Sequence, residues 1–454
     1  MTSTAERFER MRPVTRTRHA PIRPEDLPPG PRWPALAQSV ALLRFRHQFI
    51  PAMQKRYGDT FALDILPEGR FLVVFHRPEH VREIFAGDPE IFHAGKGNAI
   101  LGPVMGEHSL LLVDGATHKR ARKLLMPAFN GHALRGYEDV VIGLAKAEVG
   151  QWQPGVPFRS LDRMNALTLE VILRVVFGVT DERRLAQLRP LVNRTVNVSP
   201  SVFLGWSFPR LQGIGPWRRA FENQVALDEV IYAEIAERRR ATDLESRSDV
   251  LSRLLQVPGE DSDEGGLSDD ELRDQLVTLL LAGHETTATA LSWALHELGR
   301  DAGQLTRARE AALSGDDDHL EAVLKEAMRL HPVIPMVVRV LMEPATVGGI
   351  DLPAGATVGA SIILAHADPR NHPEPDRFRP DRFTDNKLPP NTWLPFGGGV
   401  RRCIGAGFSL MEGVAVLREV LSSYDVVADR PEKPKVRNIT SVPKHGSRIV
   451  VQRR

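Results

Sequence analysis

The residues most able to do chemistry lie late in the chain, where Phe396-Gly397-Gly398-Gly399-Val400-Arg401-Arg402-Cys403-Ile404-Gly405 carries the only cysteine. Three successive glycines permit backbone conformations closed to other residues, and close approach to a flat ligand. Cys403 directly precedes a helical pattern over residues 406–420. Its sulfur should therefore lie near backbone N–H donors and the positive end of a helix dipole, both of which favour thiolate over thiol. A thiolate so placed is a nucleophile or a metal ligand. A lone buried cysteine is usually inert core, but glycines and arginines are poor core material. A nucleophile needs a histidine base; none is adjacent, and His331 and His366 stand as distant candidates. Zinc wants several Cys or His ligands at short spacing. One thiolate as the sole protein ligand points instead to haem iron, where an axial cysteine pushes electron density toward O–O cleavage.

A second constellation sits inside a long apolar helix. Ser268 and Glu271 form a capping box, so the spacing predicts a helix from residue 268 to about 299. At 1.5 Å per residue it runs roughly 48 Å. Its flanks are apolar, yet its centre reads Ala282-Gly283-His284-Glu285-Thr286-Thr287. Glycine there costs about 1 kcal/mol against alanine, and a buried carboxylate costs more unless paired. The Thr286 hydroxyl, four residues after Ala282, can compete for that carbonyl and open the helix locally. Such a groove suits a small bound molecule. Taken alone, both threonines also fit as satisfied helix residues and Glu285 as a solvent-reaching acid.

The rest of the 454-residue chain must position these two features. A hydrophobic fraction of 42% and a charged fraction of 26% fit a folded chain, not a disordered or collagen-like one. A net charge of +2 leaves little field for gripping nucleic acid. One cysteine allows no internal disulfide, which fits a reducing compartment, and a cytoplasmic protein is expected. Residues 1–24 hold six arginines and no apolar stretch. They read as a basic disordered tail, capable at most of peripheral contact with anionic lipid. No run of about 18 apolar residues predicts a transmembrane helix. A hairpin is expected from residues 60–65 and 70–75 about Pro67-Glu68-Gly69, and helical periodicity over 78–329, with loops near 95–106 and 199–216. The most linker-like stretch is residues 257–266. After His331 come short extended pieces, prolines and one last helix. Length suggests about three domains, but the texture predicts one: a mainly α chain with a small β portion, residues 25–454 forming a single domain behind the tail.

The sequence resembles the cytochrome P-450 superfamily, the haem-thiolate monooxygenases, over nearly the whole chain from about Leu27. The family's cysteine-loop signature is met by Phe396, Gly399, Arg401, Cys403 and Gly405, and its oxygen-activation motif by Ala282, Gly283, Glu285, Thr286 and Thr287. Its Glu-x-x-Arg pair looks like Glu326 and Arg329, and a later proline-flanked arginine like Arg382. Glu-x-x-Arg occurs six times here, beginning at Glu9, Glu79, Glu237, Glu297, Glu326 and Glu374; position singles out Glu326, which precedes Leu330-His331-Pro332.

The resemblance implies a long central helix over a haem b and a cysteine-ligand loop beneath it. Cys403 would be the axial iron ligand, Glu285 and Thr286 the proton relay, and Glu326, Arg329 and Arg382 a buried charge cluster. His118 and Arg122, with Arg339 and Arg401, would contact the haem propionates. Lys119, Arg120 and Lys123 read singly as a solvated face and together as a docking patch for an acidic electron donor. Soluble bacterial members receive electrons from a separate ferredoxin and its reductase, and a monomer of that type is implied. By analogy, residues 97–112, 203–208, 279–283, 333–338 and 440–442 line a pocket for a hydrophobic small molecule such as a fatty acid, terpene or steroid, with residues 199–216 opening to admit it. The expected reaction inserts one oxygen atom from O₂ by hydroxylation or epoxidation. Alternatives are a haem-thiolate isomerase, dehydratase or peroxygenase, or a haem sensor or carrier without turnover.

Overall fold

A computed structural model describes residues 21–66, 69–179, 181–196, 214–256, 266–384, 388–437 and 439–453. Most of the tail, the centre of the proposed hairpin turn, nearly all of the 199–216 loop and the 257–266 linker lie outside the described residues. Elsewhere the chain is mainly helical, and it groups into two compact units. One holds residues 98–144 and 166–285; the other holds 21–97, 145–165 and 286–453.

Among the described residues, all the β structure lies in the second unit. A five-stranded sheet has the order β1-β2-β8-β5-β3, from β1 (Phe61–Ile65), β2 (Arg70–Phe75), β3 (Phe92–His93), β5 (Met336–Leu341) and β8 (Thr357–Ser361). β1 and β2 form the expected antiparallel hairpin, Phe61 opposite Val74 and Ile65 opposite Arg70, while β2 and β8 run parallel. Side chains alternate across a strand, so Ala62, Val73 and Phe75 enter one apolar cluster and Phe61, Leu63, Leu72 and Val74 the other. Both faces are covered. β4 (Phe158–Arg159), β9 (Asp425–Ala428) and β12 (Arg448–Gln452) make a second sheet; β6 (Ala345–Val347) pairs β7 (Ile350–Leu352), and β10 (Pro434–Arg437) pairs β11 (Thr440–Pro443). The two-residue strands β3 and β4 interrupt the region expected to be helical, since each exists only by pairing with a distant partner.

The long helix spans Asp269–Leu298. Its start is the capping box read from sequence: Ser268 N–H donates to Glu271 Oε2 at 2.9 Å, and Glu271 N–H donates to Ser268 Oγ at 3.1 Å. In the first unit its opening turns anchor a loop. Arg273 donates to Asp228 Oδ1 at 2.6 Å through Nη2 and to Asp274 Oδ1 at 2.9 Å. Asp274 Oδ2 in turn accepts from the His108 backbone N–H and ring Nδ1, both at 3.0 Å. Asp274 thereby holds the His108 ring above the usual imidazole range. Gly106, at φ +86°, leaves no room for a side chain: a Cβ there would lie 2.0 Å from Asp274 Oδ1. Thr278 Oγ1 donates to Ser109 Oγ at 2.7 Å. Loop 106–110 is thus held on the helix by its polar residues.

Candidate functional site

The cysteine loop is held from both ends. Cys403 N–H donates to Phe396 O at 2.8 Å, Arg402 N–H to Gly399 O at 3.1 Å, and Gly397 N–H to Leu394 O at 2.9 Å. Gly397 and Gly399 have φ of +63° and +62°, which L side chains rarely adopt. Space matters as much as conformation. A Cβ on Gly399 would fall 1.9 Å from Phe85 O, and one on Gly398 2.2 Å from the Phe85 ring. The glycine run therefore answers to helix Pro78–Ala86, which presses Phe85 into the loop. Cys403 is exposed and stands just ahead of helix Ala406–Ser423, whose N-cap, Gly405, supplies no side-chain acceptor. Among the described residues no three His, Cys, Asp or Glu side chains gather as a metal-ligand set. A single exposed sulfur on a rigid glycine shelf suits a metal that brings its other ligands in a planar macrocycle. Haem fits that donor set.

The long helix keeps its hydrogen-bonding pattern through Ala282–Thr287. What changes there is exposure. Ala282 is exposed and Leu281, Gly283 and Thr286 are half-buried, whereas Leu276, Val277, Leu280 and Ala288 are buried. The helix therefore presents a small notch with Ala282 and Thr286 one turn apart. Gly283 has a packing reason, because a Cβ would come 2.7 Å from Ile172 Cδ1 of helix Ser160–Phe177. On that helix Thr168 Oγ1 donates to His284 O at 3.0 Å. Glu285 is buried beside the notch. Thr287 Oγ1 lies 3.0 Å from Ser409 Oγ, a hydroxyl pair joining the long helix to the helix after Cys403.

Glu326, Arg329 and Arg382 meet in one buried cluster. Arg329 donates to Glu326 Oε2 at 2.7 Å and to Oε1 at 2.9 Å, and Arg382 Nε donates to Oε1 at 3.1 Å. The Arg379 backbone N–H adds a bond to Oε1 at 2.9 Å. Among the described Glu-x-x-Arg pairs this is the one with both side chains buried; Glu374 and Arg377, 2.8 Å apart, are exposed. The remaining guanidinium donors are used on backbone: Arg329 Nη1 on His366 O at 3.0 Å, and Arg382 Nη2 on Glu374 O at 2.7 Å.

His118 and Arg122 lie one turn apart on helix Gly115–Leu125, His118 buried and Arg122 half-buried. Lys119 and Lys123 are exposed. Arg120 does not simply face solvent: its Nη1 donates to Glu271 Oε1 at 2.6 Å, on the first turn of the long helix. Arg339 is buried on β5 and donates to Val338 O at 2.8 Å. Phe396 and Arg401 are half-buried in the cysteine loop.

Three residues near these features were not singled out in sequence for the part they play. His366 receives the Leu394 N–H on Nε2 at 2.8 Å, so Nδ1 carries the proton and donates to Arg329 O at 3.1 Å. Burial, with the charge of Arg329 nearby, keeps its pKa well below the normal imidazole value. Ser409 meets Thr287. Glu412, one turn on, is fully buried with neither carboxyl oxygen bonded to a protein group, and burial drives its pKa well above the usual carboxylate value. A lone acid within the largely apolar run Phe408–Leu417 was the available signal.

Two predictions follow from this geometry. Glu326→Ala strands two buried guanidinium groups, at a typical cost of about 3–5 kcal/mol for a broken buried pair. The purified variant should have lost its haem, read from the Soret absorbance per protein; normal loading would remove the cluster's bracing role. Glu412 behaves differently. The folded chain keeps its proton while the unfolded chain releases it above pH 4.5, so the residue lowers stability progressively as pH rises beyond that value. Glu412→Gln should raise the melting temperature by a margin that widens between about pH 5 and pH 8. Equal shifts at every pH would show that Glu412 is already ionised in the fold.

Residues 28–451 match the family model described as Cytochrome P450. The chain is 54% identical over 433 residues to a Mycobacterium tuberculosis protein named cytochrome P450 135A1, covering 94% of this chain and 96% of that one. It is 42% identical over 434 residues to a Mycobacterium bovis protein named cytochrome P450 135B1, covering 94% and 91%. Among solved structures, retinoic acid-bound cyanobacterial CYP120A1 superposes with a TM-score of 0.83 at 24% identity, covering 94% of this chain and all of that one. The haem domain of cytochrome P450DA gives 0.81 at 26%, covering 94% and 98%.

Proposed function

Because the chain belongs to the cytochrome P450 family of haem b oxidoreductases, we propose that it inserts one oxygen atom from O₂ into a hydrophobic small molecule. Electrons would come from a separate ferredoxin and its reductase. The observation that carries this reading is the exposed Cys403 sulfur, fixed on a glycine loop at the head of helix Ala406–Ser423. Bound haem supplies the O₂-activating chemistry that no amino-acid side chain has. The chain's own residues would do the rest. Cys403 would hold the iron as thiolate. Phe396, Gly405, Ala282 and Gly283 would contact the cofactor. His118, Arg122, Arg339 and Arg401 would hold the propionates, for which a guanidinium fork is well suited.

Proton delivery would fall to Glu285 and Thr286. The buried carboxyl can hold a proton beside the notch, and the Thr286 hydroxyl can accept one and donate another in the same movement. The residue spacing supports that division of labour: Ala282, with no polar atom, leaves the notch open, while Thr286 lies one turn further on.

For substrate we favour an apolar molecule of the fatty acid, terpene or steroid kind, because segments 279–283 and 333–338 are largely aliphatic. Residues 25–454 would act as one catalytic domain, monomeric and cytoplasmic. No helix among the described residues is long and apolar enough to cross a membrane.

Two measurements test the reading. The reduced protein with carbon monoxide should show the red-displaced Soret band of thiolate ligation, and Cys403→Ser should lose that band. A wild-type spectrum without it would overturn the assignment of the iron ligand. Thr286→Ala should bind haem normally yet consume reduced nicotinamide with little product, releasing peroxide instead. Coupling equal to wild type would remove Thr286 from proton delivery.

A further inference from the structure

The helix Ala35–Tyr57 is built inside out over its first ten residues. Its uncharged polar side chains face the protein. Gln38 and Ser39 are buried, and Gln38 Nε2 donates to Pro31 O at 3.0 Å and to Trp33 O at 2.7 Å. Gln38 Oε1 accepts from Asp64 N–H at 3.0 Å, and Ser39 Oγ from Leu66 N–H at 2.8 Å. Several of its largest apolar side chains face away. Leu36 is 61% exposed, Val40 46% and Leu43 60%, with Trp33 at 47% just ahead of the helix. Positions 36, 40 and 43 recur at intervals of three and four and so form one stripe, with the half-exposed Trp33 ring stacked on Phe49 just ahead of it. The helix breaks its geometry at Phe45, at φ −127° and ψ 23°, which leaves that ring 53% exposed at the end of the stripe. Beside it runs a shallow hollow lined by Pro34, Leu36, Ala37, Val40, Ala41 and Phe45.

Along the helix itself the charge has one sign. From Arg32 to Tyr57 there is no Asp or Glu, against Arg32, Arg44, Arg46, Lys55 and Arg56. Arg46 is turned inward onto Ile439 O and Thr440 O, whereas Arg32 and Arg44 are exposed and flank the stripe. The preceding residues 1–20 add Arg7, Arg10, Arg12, Arg16 and Arg18 against Glu6 and Glu9.

We propose that this stripe is a docking surface for a membrane bearing anionic lipid, with Trp33, Leu36, Val40, Leu43 and Phe45 entering the headgroup boundary and Arg32 and Arg44 meeting lipid phosphates. An interfacial helix needs an apolar face and a cationic border, and it gains from both buried area and attraction to anionic headgroups. The charges favour lipid over the other occupants. A second copy meeting this face by two-fold symmetry would set the same patch of both copies face to face, bringing Arg32 and Arg44 against an equally basic surface. Residues 1–20 folded back over the stripe would add still more positive charge beside them. Docking of this kind would hold the enzyme where an apolar substrate partitions, although the inference stands on the helix and not on the haem chemistry.

The test is co-sedimentation of the full-length haem-loaded protein with two sets of vesicles, phosphatidylcholine alone and phosphatidylcholine mixed with phosphatidylglycerol. The wild type should sediment with the mixed vesicles, weakly with phosphatidylcholine alone, and less as salt is raised. Leu36→Asp with Leu43→Asp should cut binding by about ten-fold or more while leaving the Soret spectrum and the melting temperature unchanged. Arg32→Glu with Arg44→Glu should weaken it and flatten the salt dependence. Three results would overturn the proposal. One is wild-type protein that stays in the supernatant with mixed vesicles. Another is binding that persists in the Leu36/Leu43 variant or vanishes wholly on removing residues 1–20. The third is a wild-type dimer by analytical ultracentrifugation that the Leu36/Leu43 variant converts to monomer, which would assign the stripe to a second copy.

Discussion

A carboxylate with no access to water must be surrounded by donors, and in the second unit that requirement organises much of what lies near the cysteine. Glu326 is fully buried and accepts from Arg329, Arg382 and the Arg379 backbone. Arg329 shares its helix with Glu326, whereas Arg379 and Arg382 belong to one later turn, so satisfying one acid draws helix Asp317–Leu330 and the irregular segment around residues 374–382 together. The linkage continues. Arg329 bonds to His366 O, His366 bonds back to Arg329 O and receives Leu394 N–H, and Leu394 O takes Gly397 N–H at the entrance of the glycine loop. Buried ion pairs are weak evidence for net stability because desolvation offsets much of their attraction. Their value here is geometric: a satisfied network has few alternative arrangements.

Much of this was legible in the sequence, for identifiable reasons. The capping box at Ser268 and Glu271 is a local device, complete within four residues, and its two hydrogen bonds form as the spacing required. The β1–β2 hairpin is similarly local, and the alternation of its apolar residues matches a sheet covered on both faces. Glu326 could be separated from five identical motifs only by its place in the chain, not by its own residues. What escaped was non-local. Nothing near His366 reveals that Leu394 needs an acceptor, and nothing near Ser409 points to Thr287, 122 residues away. The role of Gly398 and Gly399 was read as approach to a ligand; their contact with Phe85 adds a demand from the protein side. Gly283 likewise makes room for Ile172. Arg120, taken as part of a basic face, is engaged by Glu271.

The N-terminal helix illustrates the opposite limit of pattern reading. Its apolar spacing alone would suggest an ordinary core-facing stripe, and only the bonds of Gln38 and Ser39 to backbone reveal which side is turned inward. Beyond Phe45 the same helix becomes conventional, with Phe49, Ile50 and Met53 packed on the sheet. One element therefore serves two media, divided by a single residue with non-helical backbone angles.

His366 carries a last implication. Its ring bridges a backbone donor and a backbone acceptor only while uncharged, because a second ring proton would confront the Leu394 N–H directly. With its pKa held well below 6.5 by burial, the folded chain declines a proton that the unfolded chain accepts once pH falls under that value. Mild acid should consequently lower the stability of the fold in which this ring mounts the cysteine loop. The stability of that mount is then tied to a histidine that lies outside the loop itself.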